Sequence, residues 1–201
     1  MNKINKDLAK IRKGSLAKAI LFILFGIFLL DIMGVIIKYM GEQYSVLQYA
    51  VARNAFGLIP VLAFLFYSFG LKMETGSFSL REKVISVGRG FCIFFAQICF
   101  YLAIIKLEYA TAATLAFASP IFLTALSVPI LGNKVGPWRW SAVAAGFFGV
   151  LLIIRPGSDM FKPEAFLPLG AAFGYAMAAV LVKLFPPKVH TAKIQLYAQM
   201  T

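Results

Sequence analysis

Charged side chains are scarce in this sequence. Asp, Glu, Lys and Arg make up only 14% of the 201 residues, whereas a typical soluble domain has about 25%. Hydrophobic residues make up 61% of the chain, and the mean hydropathy is +0.83. The apolar residues form continuous runs and do not alternate with polar residues as they do in a membrane β-barrel. The composition therefore predicts an all-α polytopic membrane protein.

Residues for covalent or metal chemistry are also few. The chain has two cysteines and one histidine. Cys92 and Cys99 show no CxxC spacing and fall on one face of a predicted helix, so we expect them to pack. His190 alone cannot build a metal site, and no nucleophile–base set accompanies it. The sequence therefore argues against an enzyme and implies no cofactor and no metal.

Apolar runs long enough to cross a bilayer recur along the chain. About 20 helical residues, at about 1.5 Å per residue, cross the hydrocarbon core of a membrane. Residues 1–18 form a basic arm. Helices are then predicted at about 19–40, 46–69, 84–105, 109–131, 140–154 and 165–185, and residues 191–201 resemble the start of a seventh.

The net charge of +12 is unevenly distributed. Fourteen of the 20 basic residues fall in the N-terminal arm or in loops predicted on its side, and four fall on the opposite side. Cytoplasmic loops carry the excess of Lys and Arg, so this bias predicts a cytoplasmic N-terminus, with the 70–83 loop inside and the 155–164 loop outside. Topology explains the charge, so the expected partner is the lipid bilayer and not nucleic acid.

Two charges lie inside the first two predicted helices. Asp31 and Arg53 reach nearly the same depth if these helices are antiparallel neighbours. A charge at the membrane centre costs about 2.5–3.5 kcal/mol on insertion scales, so each should face protein or water. The structural interpretation is an intramembrane ion pair, and the functional alternative makes Asp31 a proton or cation site.

Polar residues follow one side of the third predicted helix. Arg89, Gln97 and Tyr101 are separated by eight and four residues. At 100° per residue they lie within an arc of about 120°. They either line a water-filled cavity, or Arg89 reaches the inner headgroups while the other two bond to neighbouring helices.

Pro120 lies near the centre of the fourth predicted helix. It cannot donate a hydrogen bond to the carbonyl of Ala116, so the helix should kink. A broken helix at the membrane midplane is tolerated only against protein or a water-lined cavity, although a plain kink is the alternative. The residues predicted to surround a substrate cavity are Arg89, Gln97, Tyr101, Thr114, Ser119, Pro120 and, from the sixth helix, Tyr175.

Small residues recur in the fifth predicted helix. Two overlapping pairs, Ala142 with Gly146 and Ala145 with Gly149, have four-residue spacing. This spacing is typical of close helix packing in membranes, so all four residues are interpreted as packing positions.

A weak internal repeat relates the two ends of the chain. A shift of 145 residues sets Phe28 over Phe173 and Lys38 over Lys183. The implied unit has five helices, so the second copy would have the opposite orientation. Inverted repeats of this kind are typical of transporters.

The order of these features resembles the drug/metabolite transporter superfamily, EamA type. The matching stretches are DIMGVIIKYMGE (31–42), the run at 48–58, residues 87–132, and VGPWRWSAVAAGFFGVLLIIRPG (135–157). The resemblance implies a five-helix inverted-repeat fold with ten helices, both termini in the cytoplasm, and a central cavity. Residues 19–157 would be the first repeat and 165–201 the start of the second. Members that take up S-adenosylmethionine or riboflavin look most similar.

The expected function is that of a bacterial inner-membrane secondary transporter, which moves a small organic metabolite by alternating access. A drug or metabolite exporter of the same fold is one alternative, and a scaffold or truncated, non-transporting membrane protein is another. The substrate, the direction and the coupling ion, for which a proton is one candidate, stay open at this point.

Overall fold

The computed structural model describes residues 2–69, 79–133, 135–154, 163–186 and 191–200. Every regular element within these residues is helical, which confirms the predicted all-α class. Two short 3-10 helices occupy Gly41–Gln43 and Pro163–Ala165. The α-helices are α1 (Asn2–Met40), α2 (Val46–Phe69), α3 (Leu80–Lys106), α4 (Tyr109–Ala116), α5 (Ser119–Leu131), α6 (Pro137–Ile154), α7 (Phe166–Val182) and α8 (Thr191–Met200).

Within the described residues, six helical segments are long and apolar enough to cross a membrane, and α4 and α5 together form one of them. Large apolar side chains are exposed on these segments. Phe22 of α1 and Leu152 of α6, for example, are each 76% exposed. Apolar surface of this extent marks a surface that is covered by another apolar phase. The pattern is that of an integral membrane protein whose outer surface faces lipid.

The chain forms two compact units, residues 1–40 and 41–201. The first is α1, a continuous helix of 39 residues, so the predicted basic arm is helical and runs into the first span. The predicted pair of Asp31 and Arg53 would join the two units, and it stays a prediction. Most of the 70–83 loop and of the 155–164 loop falls outside the described residues.

Helix α3 begins earlier than the predicted start at residue 84. Ser79 precedes its first residue, and the backbone N–H of Ser79 donates a hydrogen bond of 2.9 Å to the Glu82 carboxylate. This is half of a capping box, which satisfies a backbone donor that the first turn leaves free. The S-x-x-E signature at residues 79–82 could have located this boundary.

Helix α7 is central in the second unit, where it packs against α3, α4 and α5. Its buried positions are mostly small, as at Ala171, Ala172 and Gly174. At Gly174 an added Cβ would lie 2.9 Å from the Cβ of Ala96 and 2.9 Å from the carbonyl oxygen of Cys92. Helices in membranes approach this closely only where small residues face one another.

The fourth predicted span is broken, as Pro120 predicts. Helix α4 ends at Ala116 and α5 begins at Ser119, so Pro120 occupies the first turn of α5, where its missing N–H is not needed. Between them the N–H of Ala118 donates to the carbonyl of Leu115 at 3.1 Å, a tighter turn than that of an α-helix.

Helix α6 contacts α5 at one of the four predicted packing positions. An added Cβ on Gly146 would lie 2.7 Å from the Cδ1 of Ile121, whereas one on Gly149 would meet nothing within 4 Å. Ala142 and Ala145 are exposed. A close approach therefore occurs at Gly146, and a packing role for the other three stays a prediction.

Candidate functional site

A cavity of about 630 Å³ lies among α2, α3, α7 and α8 in the second unit. This volume is within the range of about 300–1,000 Å³ that is usual for small-molecule sites. Among the described residues, neither Asp nor Glu lines it, and no three His, Cys, Asp or Glu side chains are grouped as metal ligands. The polar residues that line it are Arg53, Asn54, Arg89, Gln97, Tyr175, Gln195 and Gln199.

Helix α3 contributes a straight stripe to the cavity. Arg89, Ile93 and Gln97 are spaced at intervals of four residues and all line it. Residues at this spacing lie above one another on a helix, which is why the sequence pattern could predict that Arg89 and Gln97 share one side. Tyr101, one turn further along, is not among the lining residues.

Gln97 is 1% exposed and connects α3 to α2. Its Nε2 donates a hydrogen bond of 3.1 Å to the Oδ1 of Asn54. Its Oε1 is buried and has no hydrogen-bond partner within the described part of the chain. This carbonyl oxygen is an unsatisfied acceptor on a residue that lines the cavity, and a buried polar group is costly to leave unsatisfied.

Arg89 connects α3 to α8. Its Nη2 donates a hydrogen bond of 2.9 Å to the Oε1 of Gln195. Its Nε and Nη1 are buried, and no described residue accepts a hydrogen bond from either atom. The guanidinium therefore retains unsatisfied donors, and Arg89 is one of the residues that line the cavity.

Gln199 and Gly57 mark a close approach of α8 to α2. An added Cβ on Gly57 would lie 2.9 Å from the Nε2 of Gln199, and both residues line the cavity. Asn54, Gln195 and Gln199 were not singled out from the sequence. An Arg–Asn dipeptide inside the apolar second helix is the signal that could have identified Asn54.

The two tyrosines of the predicted site are placed differently. Tyr175 of α7 lines the cavity, and the Arg53 guanidinium lies within electrostatic range of the hydroxyls of both Tyr175 and Tyr101. Tyr101 is only 1% exposed, and its ring packs edge-on against Tyr49 with centroids 6.4 Å apart. Tyr101 is therefore part of an aromatic contact between α2 and α3.

The broken fourth span contributes none of its predicted site residues to this cavity. Thr114 is exposed, and its hydroxyl donates a hydrogen bond of 2.7 Å to the carbonyl of Ala110 in its own helix. Ser119 is half-buried and Pro120 is exposed, and neither lines the cavity. Contact of these three residues with substrate stays a prediction.

Tyr101→Phe is expected to raise the free energy of unfolding by about 1 kcal/mol, because an unsatisfied buried polar group costs about 1–3 kcal/mol. The Tyr101 hydroxyl is buried and has no hydrogen-bond partner in the described residues, whereas the ring contact with Tyr49 would persist in the variant. Unfolding in mixed detergent micelles, followed by circular dichroism, measures the change. A loss of 1 kcal/mol or more would show that the hydroxyl is stabilising.

The sequence of the chain also matches known proteins. Residues 17–155 match the model of the EamA-like transporter family. An S-adenosylmethionine uptake transporter from Rickettsia prowazekii is 27% identical over 161 residues, which cover 80% of this chain and 53% of the relative. A riboflavin transporter from Vibrio cholerae is 29% identical over 152 residues, covering 70% of this chain and 49% of the relative.

A more distant match has a different direction of transport in its name. It is a pseudopaline exporter from Pseudomonas aeruginosa, 24% identical over 184 residues, covering 90% of this chain and 62% of the exporter. The chain spans about half the length of the S-adenosylmethionine uptake transporter and of the riboflavin transporter that it matches. No solved structure matches it. Since the family model covers more than half of the residues, this integral membrane protein belongs to the EamA-like transporter family, as the order of its motifs predicted.

Proposed function

We propose that this chain carries the substrate site of a secondary transporter that moves a small organic metabolite across the bacterial inner membrane by alternating access. The observation that carries the proposal is the polar cavity inside the second unit. Residues of α2 and α3 and residues of α7 and α8 line it together. These are the helices assigned to the first repeat and to the start of the second, and transporters with inverted repeats bind substrate where the repeats meet.

The chemistry of the lining suits binding without reaction. Arg53 and Arg89 provide fixed positive charge, and the amides of Asn54, Gln97, Gln195 and Gln199 provide donors and acceptors. Tyr175 adds an aromatic face on which a flat ring can stack. A mostly apolar wall with a few directed polar groups is typical of small-molecule sites. S-Adenosylmethionine and riboflavin, named for two of the relatives, are the first substrates to test.

Uptake into proteoliposomes tests the proposal. The full chain is reconstituted, and radiolabelled S-adenosylmethionine or riboflavin is added outside. We expect saturable uptake of one of them above that of empty liposomes, with competition by the unlabelled compound. Arg139→Gln, which changes an exposed cation at the start of α6, serves as a control that should transport normally. Uptake no greater than that of empty liposomes would contradict transport by this chain.

Export is the second candidate, because the match to the pseudopaline exporter covers 90% of this chain. Direction can be separated from transport itself by loading vesicles of known orientation from the inside or the outside. Efflux towards the face that carries Gln43 would favour an exporter, since we place that face outside the cell. Binding without movement in either direction would favour the non-transporting alternative.

The proposed orientation places the N-terminus in the cytoplasm. Gln43 and Asn133 are exposed residues that follow α1 and α5. In a background with Cys92 and Cys99 changed to alanine, a cysteine at Gln43 should react with a membrane-impermeant maleimide in intact cells. A cysteine at Asn133 should react only after the cells are permeabilised, because the positive-inside bias places it in the cytoplasm. The reverse pattern would show that the orientation is wrong.

A further inference from the structure

Positive charge exceeds negative charge in the interior of the spans. Away from the ends of the six candidate spans, the charged residues are Asp31, Arg53 and Arg89. Both arginines line the cavity, and no carboxylate among the described residues lines it. Even if Asp31 neutralises Arg53, as the sequence predicts, Arg89 still needs a negative charge from another source.

Arg89 is poorly satisfied by its neighbours. A guanidinium has five N–H donors, and the described hydrogen bond uses one of them, with the neutral amide of Gln195 as acceptor. Nε and Nη1 are buried without an acceptor in the described residues. Buried charges in proteins are normally paired, since an uncompensated one is costly. The site therefore calls for an anion.

We propose that the cavity binds its substrate through an oxyanion, a carboxylate or a phosphate, held by Arg89. The planar guanidinium matches an oxyanion in two parallel hydrogen bonds, which a lysine or an amide cannot reproduce. The inference rests on the proposed function, because it takes the cavity as the substrate site. Organic anions and zwitterions are then preferred over neutral and cationic molecules of the same shape.

The first two candidate substrates differ in whether they offer Arg89 an oxyanion. S-Adenosylmethionine has a carboxylate and riboflavin has none. The carboxylate of a zwitterion would pair with Arg89, while Gln97 and Asn54, which line the same cavity, would bond to the polar edge of the remainder. S-Adenosylmethionine therefore offers Arg89 a carboxylate that riboflavin lacks. It also carries an ammonium and a sulfonium group, so its net charge is positive and the two arginines that line the cavity oppose its binding. Probes that differ only in one charged group therefore test the preference more directly than this pair of substrates.

Probes with one ring system and different charge test the inference. These are 1-naphthoate, 1-naphthyl phosphate, 1-naphthamide and 1-naphthylmethylammonium, each measured by equilibrium dialysis against the full chain in phosphatidylcholine nanodiscs. Empty nanodiscs correct for partition into lipid. At least one anion should bind at least tenfold more tightly than the amide, which is about 1.4 kcal/mol, and the ammonium should bind most weakly. The stronger of the two anions identifies the class of oxyanion.

Substitutions of Arg89 test whether the preference for anions depends on this residue. Arg89→Gln should reduce the preference for the anion to less than about twofold. Arg89→Lys keeps the positive charge but cannot form the two parallel hydrogen bonds of a guanidinium, so it should retain an intermediate preference. Arg139→Gln, exposed at the start of α6, should retain all of it. Size-exclusion profiles and helix content show which variants are folded. If a variant does not fold, the probe series on the unchanged chain still tests the anion preference.

Three results would overturn the inference: equal or tighter binding of the amide, an anion preference that survives in Arg89→Gln, or binding of none of the probes. Transport is judged separately by the proteoliposome assay. Uptake of a neutral or cationic metabolite without anion preference would overturn the inference and leave transport standing. Anion binding that depends on Arg89, without any uptake, would support the inference and contradict transport.

Discussion

Gly174→Ala is expected to lower the free energy of unfolding by about 1–3 kcal/mol, the usual cost of adding a methylene group to a packed core. The new Cβ would lie 2.9 Å from the Cβ of Ala96 and 2.9 Å from the carbonyl oxygen of Cys92. Neither atom can rotate away, because one is backbone and the other is fixed to it. The whole of α7 must therefore move away from α3.

Gly170→Ala is the matched control. It changes the same helix one turn earlier and also faces α3, but its added Cβ would lie 3.6 Å from the Sγ of Cys99, which is an ordinary contact. We expect a change within about 0.5 kcal/mol. Unfolding of both variants in mixed micelles, followed by circular dichroism, gives the comparison. Equal stability of the two would show that α3 and α7 are not held at this distance.

Most of the fold could be predicted from the sequence because the decisive signals are local. Continuous apolar runs indicated the spans without knowledge of their neighbours. The break in the fourth span was predicted for the same reason, since Pro120 removes a hydrogen bond from its own helix and the chain indeed divides between Ala116 and Ser119. The apolar run predicts a start at residue 84, whereas α3 begins at Leu80, directly after the capping residue Ser79.

Arg89, Gln97 and Tyr175 of the predicted site line the cavity, and their contact with substrate stays a prediction, whereas the other lining residues depend on long-range packing. The stripe of Arg89 and Gln97 follows from helix periodicity alone. Asn54, Gln195 and Gln199 also line the cavity because α8 packs against α2 and α3. The sequence of α8 alone does not indicate which helices it contacts. The number and placement of the polar groups in the cavity therefore come from tertiary contacts.

The rotation of a helix about its axis was the main unknown for single side chains. Thr114 was predicted to surround the substrate cavity. In the structure its hydroxyl bonds to the backbone of α4 and it is exposed, so its contact with substrate stays a prediction. A threonine can satisfy its hydroxyl in this way on any face of a helix, so its polarity does not indicate direction. Small residues have the same ambiguity. The spacing in α6 predicted packing without identifying Ile121 as the partner of Gly146.

The largest loss of function is expected from Gln97→Leu. Leucine has a similar size, so the shape of the cavity should change little, but the variant removes both the donor to Asn54 and the unpartnered Oε1. Binding of the proposed substrate should weaken by at least tenfold, about 1.4 kcal/mol, because a buried polar group left without its partner costs about 1–3 kcal/mol.

A double-mutant cycle with Asn54→Leu tests whether Gln97 acts on substrate binding together with Asn54 or only through the packing of α3. The two side chains are joined by a hydrogen bond of 3.1 Å, so the double variant should lose less binding than the sum of the single losses. Tyr101→Phe lies one turn along the same helix, outside the cavity, and should bind within about twofold of the unchanged chain. Strict additivity, or an equal loss in Tyr101→Phe, would mean that Gln97 acts through the stability of α3 and not through the substrate.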